Sequence, residues 1–338
     1  MSPQSFSADA SVNTLTVRAH AKLNLSLAVL ARRPDGYHEI ESLMVPVTLH
    51  DTVRVRPRGD DALRLSVRFA GRLAAASGHG PARDVPSGDS NLVIRAVRSL
   101  RAAAGGGGLD IELVKEIPAG AGLGGGSSDA AAALVAAARA WRLDWPAERL
   151  AALGAEIGSD VPWFFAGGPA VARGRGERIE PVAGIPEMPV VIAWPATGLS
   201  TAAVYAACRP DGGHRGDAVR VATALAAGDI AAAAAHMHNA LEAPARGLCP
   251  EVDRLLAALG RAGAAAPRLT GSGSACFALC RTAAEARTIA ARLAAERSDD
   301  GPAFSGAFTG RLLAAGGRPA AEAGDPDEDG AEVNGDEA

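Results

Sequence analysis

Five glycines crowd residues 118–128, between an alternating run at 109–115 and an alanine-rich run beyond 128, and this segment constrains the chain more than any other. It reads Pro118, Ala119, Gly120, Ala121, Gly122, Leu123, Gly124, Gly125, Gly126, Ser127, Ser128. Glycine lacks the Cβ that would hold a phosphate off the backbone, and it accepts positive φ. The amides it exposes, together with the unpaired N–H groups and positive dipole end of a following helix, form an anion cradle. Ser127 and Ser128 stand where a hydroxyl caps the helix, touches a phosphate or lies near a bound metal. No lysine follows the glycines, so the GxxxxGK[ST] loop is excluded. Gly120, Gly122 and Gly125 match a dinucleotide fingerprint in form, but the strand before them does not open a βαβ unit. A flexible linker does not abut a strand and a helix so tightly. A phosphate loop of another kind fits best.

The second constraint is the alternation over 15–29. Leu15, Val17, Ala19, Ala21, Leu23, Leu25, Leu27 and Val29 face one way, and Thr16, Arg18, His20, Lys22, Asn24 and Ser26 the other. A strand with one core face and one polar face follows. Further strands are predicted at 41–49 and 51–57, joined by a short turn, and at 63–69, 109–115, 190–193 and 275–280. Helices are predicted at 90–104, 128–141, 147–157, 201–208, 219–227, 230–238, 249–262 and 283–297. Residues 71–88 read as a polar loop. Strands followed by helices without strict βαβ alternation place the chain in the α+β class, in two lobes.

Composition narrows the partners. Hydrophobic residues make up 48% of 338, enough for a real core. The net charge of -4 hides an acidic end: residues 316–338 hold eight acids and one base, leaving 30 acids against 33 bases elsewhere. The mildly basic body suits an anionic small molecule and is far too weakly charged to argue for nucleic acid, and no obligate protein partner is evident in the sequence. The four cysteines form no CxxC pair, which disfavours a zinc site or a disulfide framework. A polar N-terminus without an apolar core, and the lack of a spanning apolar run, predict a cytoplasmic protein without a membrane segment.

Three motifs in order carry a family resemblance. Residues 118–128 resemble the ATP loop of the GHMP kinases; Ala21, Lys22, Leu23, Asn24 and Leu25 resemble their first motif, and residues 269–277, with Gly271, Ser272 and Gly273, their third. The segments Asp35-Gly36-Tyr37-His38, Asp89-Ser90-Asn91-Leu92 and Gly158-Ser159-Asp160-Val161-Pro162 are similar to the branch that acts on a cytidine-diphosphate-linked sugar alcohol in non-mevalonate isoprenoid synthesis. The resemblance covers about residues 15–315. It implies a two-lobed GHMP kinase fold, with a ribosomal protein S5 domain 2-like N-terminal lobe over 15–182 and a ferredoxin-like C-terminal lobe over 183–315. Residues 1–14 and 316–338 are then disordered ends. It also implies ATP as phosphoryl donor, with Mg²⁺ held mainly through the phosphates and its protein ligand, if any, unassigned; Ser128 is one guess.

Residue by residue, the resemblance makes Asp160 the general base and Lys22 its partner against developing negative charge. Without it, Asp160 reads equally as a turn acid and Lys22 as a solvent-side charge on a strand. Asn24 would bond the substrate. Tyr37 and Tyr205, the two tyrosines of the chain, would sandwich the cytosine, with His38 reading its edge and Thr201 touching the diphosphate side. Asn91 and Lys115 would contact the adenine side, although a helix cap and a strand-end lysine are open alternatives. Gly271, Ser272 and Gly273 would close on the phosphates from the second lobe.

Overall fold

The computed structural model describes residues 14–75, 83–210, 212–296, 304–314, 317, 319 and 321–323. The alternating N-terminal run forms β1 (Leu15–Arg32), and the two strands expected after it are one, β2 (His38–Pro57). The turn expected near residue 50 is absent. His50 pairs with His20 and Asp51 with Ala19, while a register shift between His20 and Lys22 bends the ladder instead. Such a bulge adds unpaired residues to one strand and increases local twist, so a long pair can curve without breaking.

β3 (Leu63–Phe69) runs parallel to β4 (Leu109–Lys115), and β4 pairs antiparallel with β2. The loop expected at 71–88 begins with a short helix, α1 (Gly71–Ala75). α2 (Leu92–Ala104) and α3 (Gly125–Ala140) pack together on the sheet, and α4 (Ala147–Ile157) lies beside α3. A 3-10 turn, Pro162–Phe165, leads into β5 (Ala170–Gly174) and β6 (Arg178–Pro181), a hairpin the sequence reading missed. Among the described residues the sheet has seven strands, with β5 pairing β2 and the far edge closed by β11 (Ala321–Ala323) against Leu15–Val17 of β1. The end expected to be disordered from 316 therefore contributes an edge strand; apart from residues 317 and 319, the rest of it lies outside the described residues, as do residues 1–13.

The second lobe has a four-stranded antiparallel sheet in the order β10-β7-β9-β8: β7 (Pro189–Trp194), β8 (Arg268–Leu269), β9 (Cys276–Leu279) and β10 (Gly306–Arg311). Around it lie α5 (Thr201–Ala207), α6 (Asp217–Ala226), α7 (Ile230–His236), α8 (Glu242–Leu248), α9 (Pro250–Arg261) and α10 (Ala283–Ala295). The helices expected in this lobe appear within two residues at each end; α8, β8 and β10 were not foreseen. No described helix is long and apolar enough to cross a membrane.

The two lobes share apolar contact. Leu23, Leu25, Val45 and Val47 of β1 and β2 cluster with Ile192 and Trp194 of β7 and Phe277 of β9, all buried. Each such side chain contributes roughly 1.5–3 kcal/mol by leaving water. The polar stripe of β1 from Lys22 to Ser26, which alternation alone would leave to solvent, is buried as well, with Thr270 and Gly271 of the second lobe against Asn24 and Lys22. The stripe lies in a cleft.

Candidate active site

The cleft between the lobes is a cavity of about 1110 Å³. Lys22 and Asn24 of β1 line it, with Tyr37, His38, Asn91, Lys115, residues 118–127, Asp160, Thr201, Tyr205, Gly271 and Ser272. Two predicted residues do not. Ser128 is fully buried inside α3 and outside the lining, and its hydroxyl finds no bonding partner, so Ser127 is the serine that faces the cavity. Gly273 sits behind Gly271, where it bonds the Thr270 carbonyl and supports the turn. Both corrections have one cause: a helical or turn residue one step along the chain points elsewhere.

The glycine segment is held from both lobes. The Lys22 amide donates to the Leu123 carbonyl (2.9 Å), and Leu199 and Ala275 of the second lobe donate to Gly120 and Ala121 (3.1 Å each). Gly122, at φ 75°, lies so close to the second glycine turn that a Cβ would meet the Thr270 carbonyl at 2.2 Å. Gly271, at φ 56°, returns the contact, since its Cβ would stand 2.8 Å from the Gly122 carbonyl. Helix α3 begins directly after Gly124, and no side chain caps it. The serines therefore do not serve as caps, and the amides at the helix start remain for a ligand.

Lys22 lies beneath this loop: a Cβ on Gly124 would come within 3.0 Å of its side-chain carbons. Its ammonium donates to Asn24 Oδ1 (2.6 Å) and lies 3.7 Å from Asp160 Oδ2. Asn24 Nδ2 in turn donates to Ser42 Oγ (2.8 Å), and the Asn24 amide bonds Thr270 Oγ1 (3.0 Å). Asp160 occupies the turn between α4 and the 3-10 segment, and its side chain remains 39% exposed. Burial lowers the Lys22 pKa from its ordinary 10.5, and Asp160 opposes that shift only in part. The arrangement can orient an acceptor hydroxyl, remove its proton at a solvent-reachable carboxylate and steady negative charge beside it.

At the other end, the Tyr205 and His38 rings meet at 5.2 Å, tilted by 34°, and the Arg175 guanidinium stands 4.8 Å over the Tyr37 ring. Tyr37 is half exposed at the rim. Burial, then the Asp160 carboxylate, push the Tyr205 hydroxyl pKa up, so it stays a neutral ring donor. Thr201 Oγ1 lies 2.9 Å from Ser272 Oγ, linking α5 to the second glycine turn.

Asn91 and Lys115 line the cavity, and they also fill the structural roles left open for them. Asn91 caps α2 by accepting from the Val93 amide (2.8 Å) and donates to the Pro86 carbonyl (2.6 Å). Lys115 bonds Asp129 (2.7 Å) and Asp51, all three buried, while Asp51 also accepts from the Ile117 amide (2.8 Å). Burial works against the Lys115 charge, but the two carboxylates outweigh it and hold its pKa above the ordinary lysine range. Burial, and Asp51 nearby, raise the Asp129 pKa well above a carboxylate's. Sequence reasoning missed Asp51, Asp129, Ser42 and Arg175. Asp129 alone left a signal, as the first residue after the loop's serines.

Comparison with known proteins fits this geometry. The GHMP kinases N terminal domain matches residues 91–168, and the GHMP kinases C terminal domain matches 221–299. The chain is 41% identical over 300 residues to 4-diphosphocytidyl-2-C-methyl-D-erythritol kinase of Pelotomaculum thermopropionicum, covering 88% of this chain and 99% of that protein. The protein of the same name from Cutibacterium acnes is 38% identical over 287 residues, covering 82% and 89%. A crystal structure of 4-(cytidine 5'-diphospho)-2C-methyl-D-erythritol kinase superposes with a TM-score of 0.68 at 36% identity, over 88% of this chain and 98% of that one. Homoserine kinase from Cytophaga hutchinsonii reaches a TM-score of 0.69 at 18% identity, over 94% and 100%, which shows the fold alone.

Proposed function

The chain belongs to the GHMP kinases, in their 4-diphosphocytidyl-2-C-methyl-D-erythritol kinase branch, and from that membership we propose how its cleft moves a phosphoryl group. The enzyme uses ATP to phosphorylate 4-diphosphocytidyl-2-C-methyl-D-erythritol in isoprenoid precursor synthesis. The acceptor is the C2 hydroxyl, and the products are the 2-phosphate and ADP.

ATP lies with its phosphates on the amides of 120–127, and Gly271 and Ser272 cover them from the second lobe. Asn91 and Lys115 border the adenine side. The cytidine end of the acceptor lies among Tyr37, His38 and Tyr205, with Thr201 toward its diphosphate and Asn24 beside the sugar alcohol. Asp160 takes the proton from the C2 hydroxyl as its oxygen attacks the γ-phosphorus, and the bond to the β–γ bridging oxygen breaks to release ADP. Lys22 steadies the charge that develops on the transferred group.

Among the described residues no group of three or more His, Cys, Asp or Glu is placed to hold a metal ion. A cation carried on the nucleotide would find the Ser127 hydroxyl, which lines the cavity beside the glycine loop, as one protein oxygen available to it. Bound there, Mg²⁺ would neutralise charge on the β- and γ-phosphates. Both substrates are charged, water-borne nucleotides, which supports a cytoplasmic setting.

The observation that carries this reading is the Lys22–Asp160 pair, 3.7 Å apart, set in one cavity with the glycine cradle and the aromatic cluster. ADP release with ATP and Mg²⁺, compared across the cytidylated alcohol, homoserine and mevalonate, tests it. Turnover confined to the first is the expected result, and turnover of either of the others would overturn the acceptor assignment.

A further inference from the structure

We propose that Ser42 is a positioning residue for phosphoryl transfer, acting through Asn24 on Lys22; the inference rests on the role given to Lys22 above. Ser42 is fully buried on β2 and does not line the cavity, whereas Lys22 and Asn24 do. It cannot touch either substrate. What it touches is the second link of a chain of hydrogen bonds that ends at the Lys22 ammonium.

The direction of that chain follows from what each group can donate. The Ser26 carbonyl only accepts, and it takes the Ser42 hydroxyl proton at 2.6 Å. A hydroxyl has one proton, so toward Asn24, 2.8 Å away, Ser42 can only accept. Asn24 must therefore turn its NH2 to Ser42 and its carbonyl to Lys22, where the ammonium, which only donates, meets it at 2.6 Å. A carbonyl at one end and an ammonium at the other leave one orientation of the amide between them. The flipped amide would set two donors against each other at Lys22.

The strand pair is built to allow this. Between Asn24 and Ser26 the register shifts by one residue, so that Ser26 faces Leu43 and Leu27 faces Ser42. At that point the Leu43 amide donates to the Ser26 hydroxyl (3.3 Å), and the Ser26 carbonyl accepts from the Ser42 hydroxyl. A bulge that interrupts the ladder beside a site re-aims side chains in this way. All four residues are buried, so each bond acts in a medium where an unpaired polar group is costly. The Thr270 hydroxyl holds the Asn24 backbone from the other lobe, which leaves the side-chain amide as the part Ser42 controls.

The test compares Ser42→Ala with Ser42→Thr, which keeps the hydroxyl. Ser42→Ala is expected to lower kcat about tenfold per folded enzyme, with both KM values within about twofold, and Ser42→Thr to recover kcat to within about threefold of wild type. Thermal melts and active-fraction measurements normalise for folding. A second readout does not need turnover: the Lys22 Nζ titration followed by NMR should move to lower pH in Ser42→Ala and stay near wild type in Ser42→Thr, because the ammonium loses an anchored acceptor facing Asp160. Unchanged kcat and an unmoved Lys22 titration in Ser42→Ala would overturn the proposal, as would equal damage in Ser42→Thr. Should the wild type prefer another alcohol, only the acceptor assignment falls; the same kcat ratio with that alcohol, and the Lys22 titration, still judge Ser42.

Discussion

Lys22 and Asp160 meet in the cleft at 3.7 Å, one nearly fully buried and the other more than a third exposed. The asymmetry suits their roles. A buried ammonium acts at short range with little screening, and an exposed carboxylate can pass a proton on to water. Asp160→Asn is expected to cut kcat by about 10²–10⁴-fold, the usual contribution of a general base, while ATP affinity changes by less than about threefold. Single-turnover kinetics with equilibrium ATP titration separates the two, and parallel loss of both would remove Asp160 from the base role.

The depressed Lys22 pKa gives opposite pH trends for stability and rate. Burial disfavours the charged form, so between the lowered value and 10.5 the unfolded chain holds more protons than the folded one. Stability then rises with pH across that window. Lys22→Met lacks the effect, so the wild type should gain on the variant as pH climbs toward 10.5. The rate of the wild type should fall over the same window as Lys22 loses its proton. Urea unfolding and kcat measured from pH 7 upward check both slopes; a constant stability difference would count against a buried charge.

Tyr37 at the rim predicts a binding effect. Removing its ring with Tyr37→Ala should raise KM for the cytidylated acceptor about two- to tenfold, the equivalent of one aromatic stacking pair, with kcat and the KM for ATP nearly unchanged. Steady-state kinetics in both substrates reads this directly. A defect confined to kcat would place the cytosine elsewhere.

Gly122 predicts a steric effect. Its φ of 75° and the Thr270 carbonyl 2.2 Å from any Cβ leave no room for alanine. Gly122→Ala should push the two glycine turns apart and weaken ATP binding by at least about tenfold, since strain of this kind costs on the order of 1–3 kcal/mol. Gly260→Ala, on α9 and outside the cavity, is the control, because its Cβ would meet nothing within 4 Å and its φ is not positive. Calorimetric ATP titration of the two variants should separate them clearly.

The Lys115 cluster predicts stability effects. Lys115→Met strands Asp51 and Asp129 without their cation, and breaking a buried pair in this way costs about 3–5 kcal/mol. Asp129→Asn tests the raised carboxyl. A folded-state pKa above the unfolded value favours the native state at low pH and loses that contribution as pH rises through the folded pKa. The variant should therefore gain stability relative to wild type as pH increases from about 4. Melting temperatures across pH 4–8 settle the sign.

The parts legible in the sequence are those whose cause is local. Alternation fixes β1, glycine and helix-forming residues fix the loop and α3, and the α+β class follows from the order of elements. Local pattern divides β2 at residue 50, yet the strand runs through it, and Asp51 beside that point is a buried acceptor for the Glu116 and Ile117 amides, a partnership 65 and 66 residues away that no local pattern announces. The Lys22–Asp160 pairing, 138 positions apart, was legible only through the family resemblance. The inward burial of the polar stripe from Lys22 to Ser26 required the second lobe. Asn91 and Lys115 were ambiguous because each has two jobs, as a structural tie and as part of the cavity wall.

The short strand Ala321–Ala323 has a consequence for anyone dividing this protein. It lies along Leu15–Val17 and completes the first lobe's sheet from more than 300 positions away. Leu312 likewise bridges to Val47. A fragment cut near residue 182 would lose both, baring the hydrogen-bonding edge of β1 together with the apolar patch around Leu23, Val45 and Val47. An open strand edge beside a greasy surface is a template for self-association. Expressed alone, the first lobe should collect in aggregates, and the chain is better treated as one folding unit.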